Sequence, residues 1–279
     1  MSQQLHPESM SDRERAAVEA ELRSLADDEF VLAERYTEWQ VRGPTLESDI
    51  GLANITQDEL GHARLWYDLL ADLGYDEVNL LWERDPAEFR HSTLVEQPFE
   101  SGDWTDCVTR SYLYDTYEYR RLQALQNSSY PRIADRVGKV LSEEEYHREH
   151  AENWVERLAA DSEGRARLQA AVNRLFPHAL TLFEPTAEEE SILDLGIRSE
   201  PLSELRTEWV AVVTTFLAGL DLTVPTDGDT LLPEARGRDG THTDAWESLY
   251  SEFTFTYEQL DRGEATVLMP DPDEADIDG

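Results

Sequence analysis

The sequence predicts an all-α protein with a four-helix bundle at its centre, and two observations carry this prediction. Apolar residues recur every three to four positions along four long segments, which is the period of an amphipathic α-helix. The four segments also fall into two similar halves, and no segment shows the strict alternation of a half-buried strand. The four predicted helices cover residues 12–41, 45–73, 103–127 and 131–160.

Turn-forming residues separate these helices. Gly43 and Pro44 follow the first, Gly74 ends the second, and Pro131 begins the fourth. The connection over residues 75–102 is long enough for the crossover that joins the two helix pairs of such a bundle. Three further helices are predicted at about residues 163–183, 201–219 and 243–261.

The domain organisation follows from these elements. Residues 1–11 are polar and are expected to form a flexible N-terminus. Residues 12–261 are expected to form a single helical domain. The acidic, proline-containing stretch over residues 262–279 is predicted to be a disordered tail.

Two Glu-x-x-His motifs interrupt the apolar faces of the second and fourth helices. They are Glu59 with His62 and Glu144 with His147, and each pair occupies positions where leucine is expected. Positions i and i+3 share a helix face, so each motif directs a carboxylate and an imidazole toward the core. Burying an unpaired carboxylate costs several kcal/mol, so these positions require a compensating charge, which a metal ion supplies.

The first and third helices each add one acid in the middle of the apolar face. Glu29 precedes the first motif by 30 residues, and Asp115 precedes the second by 29. This duplicated arrangement matches ferritin-like di-iron and di-manganese bundles. An oxygen-rich ligand set favours iron(II) or manganese(II) over zinc or copper. Glu59 and Glu144 are expected to bridge the metals and to be catalytic, within the predicted ligand set Glu29, Glu59, His62, Asp115, Glu144 and His147.

The alternative is that these motifs are ordinary solvent-exposed residues of an acidic chain. That interpretation leaves four acids without counter-ions inside a bundle. Several other acids lie off the apolar faces and are expected at the surface: Glu34, Glu38, Glu118, Glu143 and Glu145. His150 is expected to be partly exposed. The remaining histidines lack ligand spacing and are interpreted as structural or exposed: His6, His91, His178 and His242.

Composition limits the possible partners. The formal net charge of −36 repels nucleic acid and anionic membranes, so neither is expected as a partner. The same acidity is typical of adaptation to high salt, where the Debye length falls to about 3 Å and self-repulsion is screened. Cys107 is the only cysteine, so no intrachain disulfide can form. No run approaches 18 apolar residues, and we expect a cytoplasmic protein.

Three segments resemble the phenylacetic acid catabolic family. They are Asn-Ile-Thr-Gln-Asp-Glu-Leu-Gly-His-Ala-Arg at 54–64, Leu-Val-Glu-Gln-Pro at 94–98 and Gly-Thr-His-Thr-Asp at 240–244. The resemblance extends over about residues 20–260. It implies one of the two helical components, A-type and C-type, of a multicomponent phenylacetyl-CoA epoxidase that forms a ring 1,2-epoxide. The last two segments look most like the C-type component.

In that family the di-iron site lies in the A-type component, whereas many C-type members have lost metal ligands and act as scaffolds. All six positions that match the catalytic ligands are filled in this sequence. The resemblance therefore implies two iron ions, with manganese also possible, and O2-dependent epoxidation. It also implies an A-type ferritin-like partner, a reductase that donates electrons, and an acyl-CoA substrate.

Three functions are compatible with these residues. The first is a di-iron monooxygenase component of such a complex, and the second is a non-catalytic scaffold component of the same complex. The third is a stand-alone di-iron or di-manganese oxidase or catalase, since fold and ligands alone do not select a reaction.

Overall fold

The computed structural model describes residues 4–99, 103–225 and 231–259, and within them the regular structure is entirely helical. Three short 3-10 helices lie at Pro7–Ser9, Pro86–Glu88 and Leu180–Phe183. The α-helices of these residues are α1 (Asp12–Thr37), α2 (Leu46–Asp72), α3 (Glu77–Leu81), α4 (Trp104–Leu125), α5 (Pro131–Ala159), α6 (Ser162–Ala179), α7 (Glu189–Asp194), α8 (Leu202–Gly219) and α9 (Asp244–Gln259).

Two helical hairpins form the bundle. α1 packs mainly against α2, and α4 packs mainly against α5, as short loops between neighbouring helices dictate. α6 and α8 cover α4 from outside, and α9 contacts α1. This arrangement confirms the all-α, ferritin-like four-helix bundle with additional C-terminal helices.

The two ends of α1 show how far the sequence predicts the bounds of a helix. Ser11 begins α1 with a capping box, in which its hydroxyl accepts a hydrogen bond from the Glu14 backbone while the Glu14 carboxylate accepts one from the Ser11 backbone. α1 ends at Thr37, four residues before the predicted end. Val41 has a φ of 62°, in the left-handed region, so the chain has already left the helix there.

The long connection between the hairpins is more ordered than the sequence predicts. It contains α3 and a buried polar segment around Glu96. The Glu96 carboxylate accepts hydrogen bonds from His91 Nε2 at 2.7 Å, His242 Nδ1 at 2.9 Å and the Thr243 backbone N–H at 2.7 Å. Arg35 on α1 donates to the Glu96 carbonyl oxygen at 2.9 Å. The connection is thus fastened to both α1 and the start of α9. Potential ligand atoms of His91, Glu96 and His242 lie within 4.8 Å of one another, a spacing that could also hold a metal ion, so the structural role of the two histidines stays a prediction.

Gly237 lies where the chain after residue 231 runs directly beside this connection. Its φ is +76°, and a Cβ atom added there would lie 2.0 Å from the carbonyl oxygen of His91. We expect Gly237→Ala to lower the free energy of unfolding by about 2 kcal/mol or more, because the backbone must shift to relieve the clash. Gly74→Ala is the matched control, since Gly74 has a φ of +91° but no atom within 4 Å of the added Cβ. Equal losses in the two variants, measured by urea unfolding, would contradict the close approach.

The predicted flexible N-terminus includes an anchored residue. Leu5 is buried, and its backbone N–H donates to the carbonyl oxygen of Ser129 at 2.8 Å. The flexibility of residues 1–11 and the single-domain organisation of residues 12–261 remain predictions. The predicted disordered tail at 262–279 lies outside the described residues. Among the helices described, none has the length and apolar character needed to cross a bilayer.

Candidate metal centre

All six predicted ligands lie inside the bundle, at mid-length of its four long helices. Each is at most 1% exposed, although each carries a charged or polar head group. The residues come from every helix of the bundle: Glu29 from α1, Glu59 and His62 from α2, Asp115 from α4, and Glu144 and His147 from α5.

Five of the six side chains, all except Asp115, form two adjacent groups with a shared member. Potential ligand atoms of Glu29, Glu59 and His62 lie within 4.8 Å of one another, and so do those of Glu59, Glu144 and His147. Glu59 therefore belongs to both groups, as expected for a carboxylate that bridges two ions.

Glu144 also reaches both groups. Its Oε1 atom lies 3.5 Å from His62 Nδ1 and 3.0 Å from His147 Nδ1. The two imidazole ring centroids are 6.1 Å apart, with Glu144 and Glu59 between them. Both glutamates thus lie close to both histidines, and their role as bridges stays a prediction.

Asp115 approaches the centre from α4, on the side of α5. Burial raises the pKa of its carboxyl well above the usual range, and the charge of Glu144 raises it further. Neither carboxylate oxygen of Asp115 has a hydrogen-bond partner among the described residues.

Unpartnered oxygens are the main physical feature of this centre. Both carboxylate oxygens of Glu29 and Glu59 lack hydrogen-bond partners among the described residues, as do Oε2 of Glu144 and Nδ1 of His62. Burial raises the pKa of Glu29 most, and the nearby charge of Glu118 raises it further. Burial likewise raises the pKa of Glu59 most, and the charge of Glu29 adds to it. An unsatisfied buried group costs about 1–3 kcal/mol, and more when it is charged. Divalent cations would satisfy these atoms together, so the residues present fit a pair of metal ions.

The outward nitrogen of each histidine is held by an acid from the opposite hairpin. His62 Nε2 lies 2.9 Å from Glu143 Oε2, and His147 Nε2 lies 3.3 Å from Asp58 Oδ2. A neutral imidazole that donates Nε2–H presents its Nδ1 lone pair to the centre, which is the arrangement a metal ligand needs. Burial disfavours the charged form of His147, but Glu144 and Asp58 outweigh it and raise its pKa to about 12.

Glu143 and Glu118 correct the expectation that they are ordinary surface acids. The Glu143 side chain is 31% exposed and contacts His62, whereas Glu118 is only 1% exposed. Burial, together with the smaller effect of the Glu144 charge, raises the pKa of Glu118 to about 7. The prediction failed for Glu118 because the position three residues after Asp115 shares the inner face of α4.

The other acids and histidines lie away from the centre. Glu145 is exposed as expected, Glu34 and Glu38 are half-buried, His150 is half-buried, and His6 is exposed. His178 contacts Thr93 Oγ1 through Nδ1 at 2.9 Å, which is a structural role. Asp58 is the residue that the sequence reasoning missed. Its position directly before Glu59, which mirrors that of Glu143 before Glu144, is the signal that could have revealed it.

Comparison with known proteins gives two findings. The profile of a family described as phenylacetic acid catabolic protein matches residues 1–264. A curated relative, the C-type component of the 1,2-phenylacetyl-CoA epoxidase of Escherichia coli (strain K12), is 32% identical over 235 residues, which cover 83% of this chain and 92% of the relative. Both findings agree with the resemblance carried by the sequence motifs.

Proposed function

Because the chain belongs to the phenylacetic acid catabolic protein family, we propose that it is a di-iron component of a phenylacetyl-CoA epoxidase-like complex. In this proposal the complex carries out an O2-dependent ring 1,2-epoxidation in phenylacetate catabolism. One observation supports the di-iron assignment above all: four buried carboxylates have unpartnered oxygens, and three of them, Glu29, Glu59 and Glu144, lie in close groups with two oriented imidazoles. A scaffold that had lost its metal would be under no constraint to keep these uncompensated acids in its core.

Each residue has a specific task in this proposal. Glu29 and His62 would complete one metal, Asp115 and His147 would complete the other, and two glutamates would bridge them: Glu59 and Glu144. Two bound iron(II) ions would supply two electrons for the reaction of O2 with the substrate. Manganese would fit the same hard ligand set.

The protein's own contribution is charge balance, orientation and the exclusion of water. The four carboxylates of the predicted ligand set match the charge of two divalent ions. Glu143 and Asp58 fix the tautomer and the direction of the two imidazoles. The surrounding apolar core keeps bulk water from the ligands.

The proposed partners follow from the family relationship. The relative's name identifies it as one of several components of an epoxidase. We propose that this chain pairs with a related A-type ferritin-like component and receives electrons from a separate reductase, with an acyl-CoA as the substrate. The similarity to a C-type component also favours a second candidate, a non-catalytic scaffold of the same complex.

Metal content tests the proposal directly. Protein purified in high salt is expected to contain about two irons per chain, as ferritin-like di-metal bundles do. The double variant Glu59→Ala/Glu144→Ala is expected to lose both. Glu145→Ala is the matched control, because it removes an exposed acid next to Glu144 and is expected to leave the metal content unchanged.

The second stage measures O2 consumption with the A-type partner and the reductase present. Consumption that depends on phenylacetyl-CoA and disappears in the double variant would support a catalytic role. Absence of metal even after anaerobic iron(II) loading would leave only the scaffold function. Catalase activity or iron oxidation without any acyl-CoA dependence would instead indicate a stand-alone metalloenzyme.

A further inference from the structure

Helix α4 places a second acid in the bundle interior. Glu118 lies one turn after Asp115, so both residues share the inner face of the helix. Glu118 is 1% exposed, and neither of its carboxylate oxygens has a hydrogen-bond partner among the described residues. Acids are almost never fully buried without a compensating partner, so this side chain requires an explanation.

The second acid breaks the repeat between the two halves of the bundle. On α1 the position one turn after Glu29 is Leu32, a core residue, whereas on α4 the equivalent position is Glu118. Duplication of a helix pair therefore accounts for Asp115 but not for Glu118. The additional carboxylate belongs to this centre without a counterpart in the other half.

The two acids of α4 have different electrostatic neighbours. Glu118 lies near the carboxylate of Glu29 and the Tyr114 side chain, and it interacts with Glu144 and His62. Asp115 interacts chiefly with Glu144 and His147. Glu118 is thus associated with one imidazole and Asp115 with the other.

We propose that Glu118 is a seventh ligand of the metal centre, at the end formed by Glu29 and His62. This inference rests on the proposed two-metal function and deepens it. One metal then has two terminal carboxylates and one imidazole, whereas the other has Asp115 and His147 alone, apart from the shared bridges. The two metal positions are consequently inequivalent.

The number of carboxylates at each end predicts which of the two metal positions has the higher affinity. The end that holds Glu118 carries one more negative charge, and carboxylate number is a principal determinant of affinity for hard cations. This end is expected to fill first. Five carboxylates also exceed the charge of two divalent ions by one unit, so the complete set favours ions of higher charge.

The test compares wild-type protein with Glu118→Gln and the control Glu145→Gln, all as full-length chains in high salt. Each metal-free protein is titrated anaerobically with iron(II) in a calorimeter, and bound iron is counted after gel filtration. Wild type and control are expected to bind in two resolved steps. In Glu118→Gln the tighter step should weaken by at least about tenfold, because even residues that only orient ligands contribute 10–100-fold to metal affinity.

A second readout separates ligation from structural support. Glu118→Gln and Glu118→Met are expected to keep the helical circular dichroism of the metal-free protein and to melt no lower than wild type, since each removes an unpaired buried acid. Mössbauer spectra of the iron(II)-loaded protein should show two distinct environments in wild type and a changed one in Glu118→Gln. A pair of acids that only shares a proton between Glu29 and Glu118 would leave the Mössbauer spectrum of the bound iron unaltered in Glu118→Gln.

The outcomes distinguish the two proposals. If wild type binds two irons and Glu118→Gln binds both with unchanged affinities and spectra, Glu118 is not a ligand, and the proposed function stands. If wild type binds no iron after anaerobic loading, the proposed function fails, and the ligand assignment fails with it.

Discussion

Loading the metal-free protein with iron(II) is expected to raise its melting temperature by about 10–20 °C. A ligand at about 1,000 times its Kd stabilises the native state by about 4 kcal/mol, and this centre offers two positions. In a chain of this size each kcal/mol corresponds to about 2 °C. The effect is large because the metal both binds the folded state and compensates the unpartnered carboxylates of Glu29, Glu59 and Asp115.

The measurement is a thermal melt followed by circular dichroism, under anaerobic conditions and at constant molar salt. High salt is essential, because a chain with a net charge of −36 also attracts cations to its surface, and salt screens that attraction. The variant Glu59→Ala/Glu144→Ala is expected to show no iron-dependent shift, and its metal-free form should melt no lower than metal-free wild type. An equal shift in wild type and variant would place the stabilising ions elsewhere on the acidic surface.

Replacement of Arg238 by Met is expected to lower the free energy of unfolding by about 3–5 kcal/mol. The guanidinium forms an ion pair with both carboxylate oxygens of Asp28 and donates to the backbone carbonyls of Arg90 and Ser24. These interactions lie in the protein interior, since Arg238 is 4% exposed and Asp28 is 1% exposed. Removal of the guanidinium leaves the buried Asp28 carboxylate with only the Ser92 N–H at 2.7 Å and the more distant Arg121 at 3.8 Å, and burial already raises its pKa in spite of Arg238.

Arg13→Met provides the matched control for this ion pair. Arg13 pairs with Asp194 at 2.8 Å, but the two side chains are 55% and 59% exposed, so loss of the pair should change stability by less than about 1 kcal/mol. The double variant Arg238→Met/Asp28→Leu should recover part of the loss, because no unpaired charge then remains. Urea unfolding that gives Arg238→Met and Arg13→Met the same stability would show that the buried pair is not critical.

The bundle and the burial of the six candidate ligands could be predicted from the sequence because both depend on local periodicity, whereas the ligand role itself stays a prediction. Glu29, Glu59, Asp115 and Glu144 stand where leucine would continue an apolar face, and a conflict between residue type and position is visible without coordinates. The helix ends were found within a few residues for the same reason, since turn residues mark them.

The rest of the site depends on information that a single helix does not carry. Whether Glu118 or Tyr119 faces inward depends on the rotation of α4 against its neighbours, since both positions are compatible with a 3.6-residue period. Asp58 and Glu143 acquire their role from histidines 89 and 81 residues away. Glu96 in the connection is partnered by His242, 146 residues later, and no periodic pattern predicts such a contact.

The contacts of the two histidines cross between the hairpins, so packing of the hairpins and orientation of the imidazoles occur together. Each imidazole lies on one hairpin and is steered by an acid on the other: His62 by Glu143, and His147 by Asp58. Within its own hairpin His147 Nδ1 lies 3.0 Å from Glu144 and His62 Nδ1 lies 3.6 Å from Glu29, so a separated hairpin would lack only the acid at each Nε2. Docking of the halves therefore completes the orientation of both rings at once.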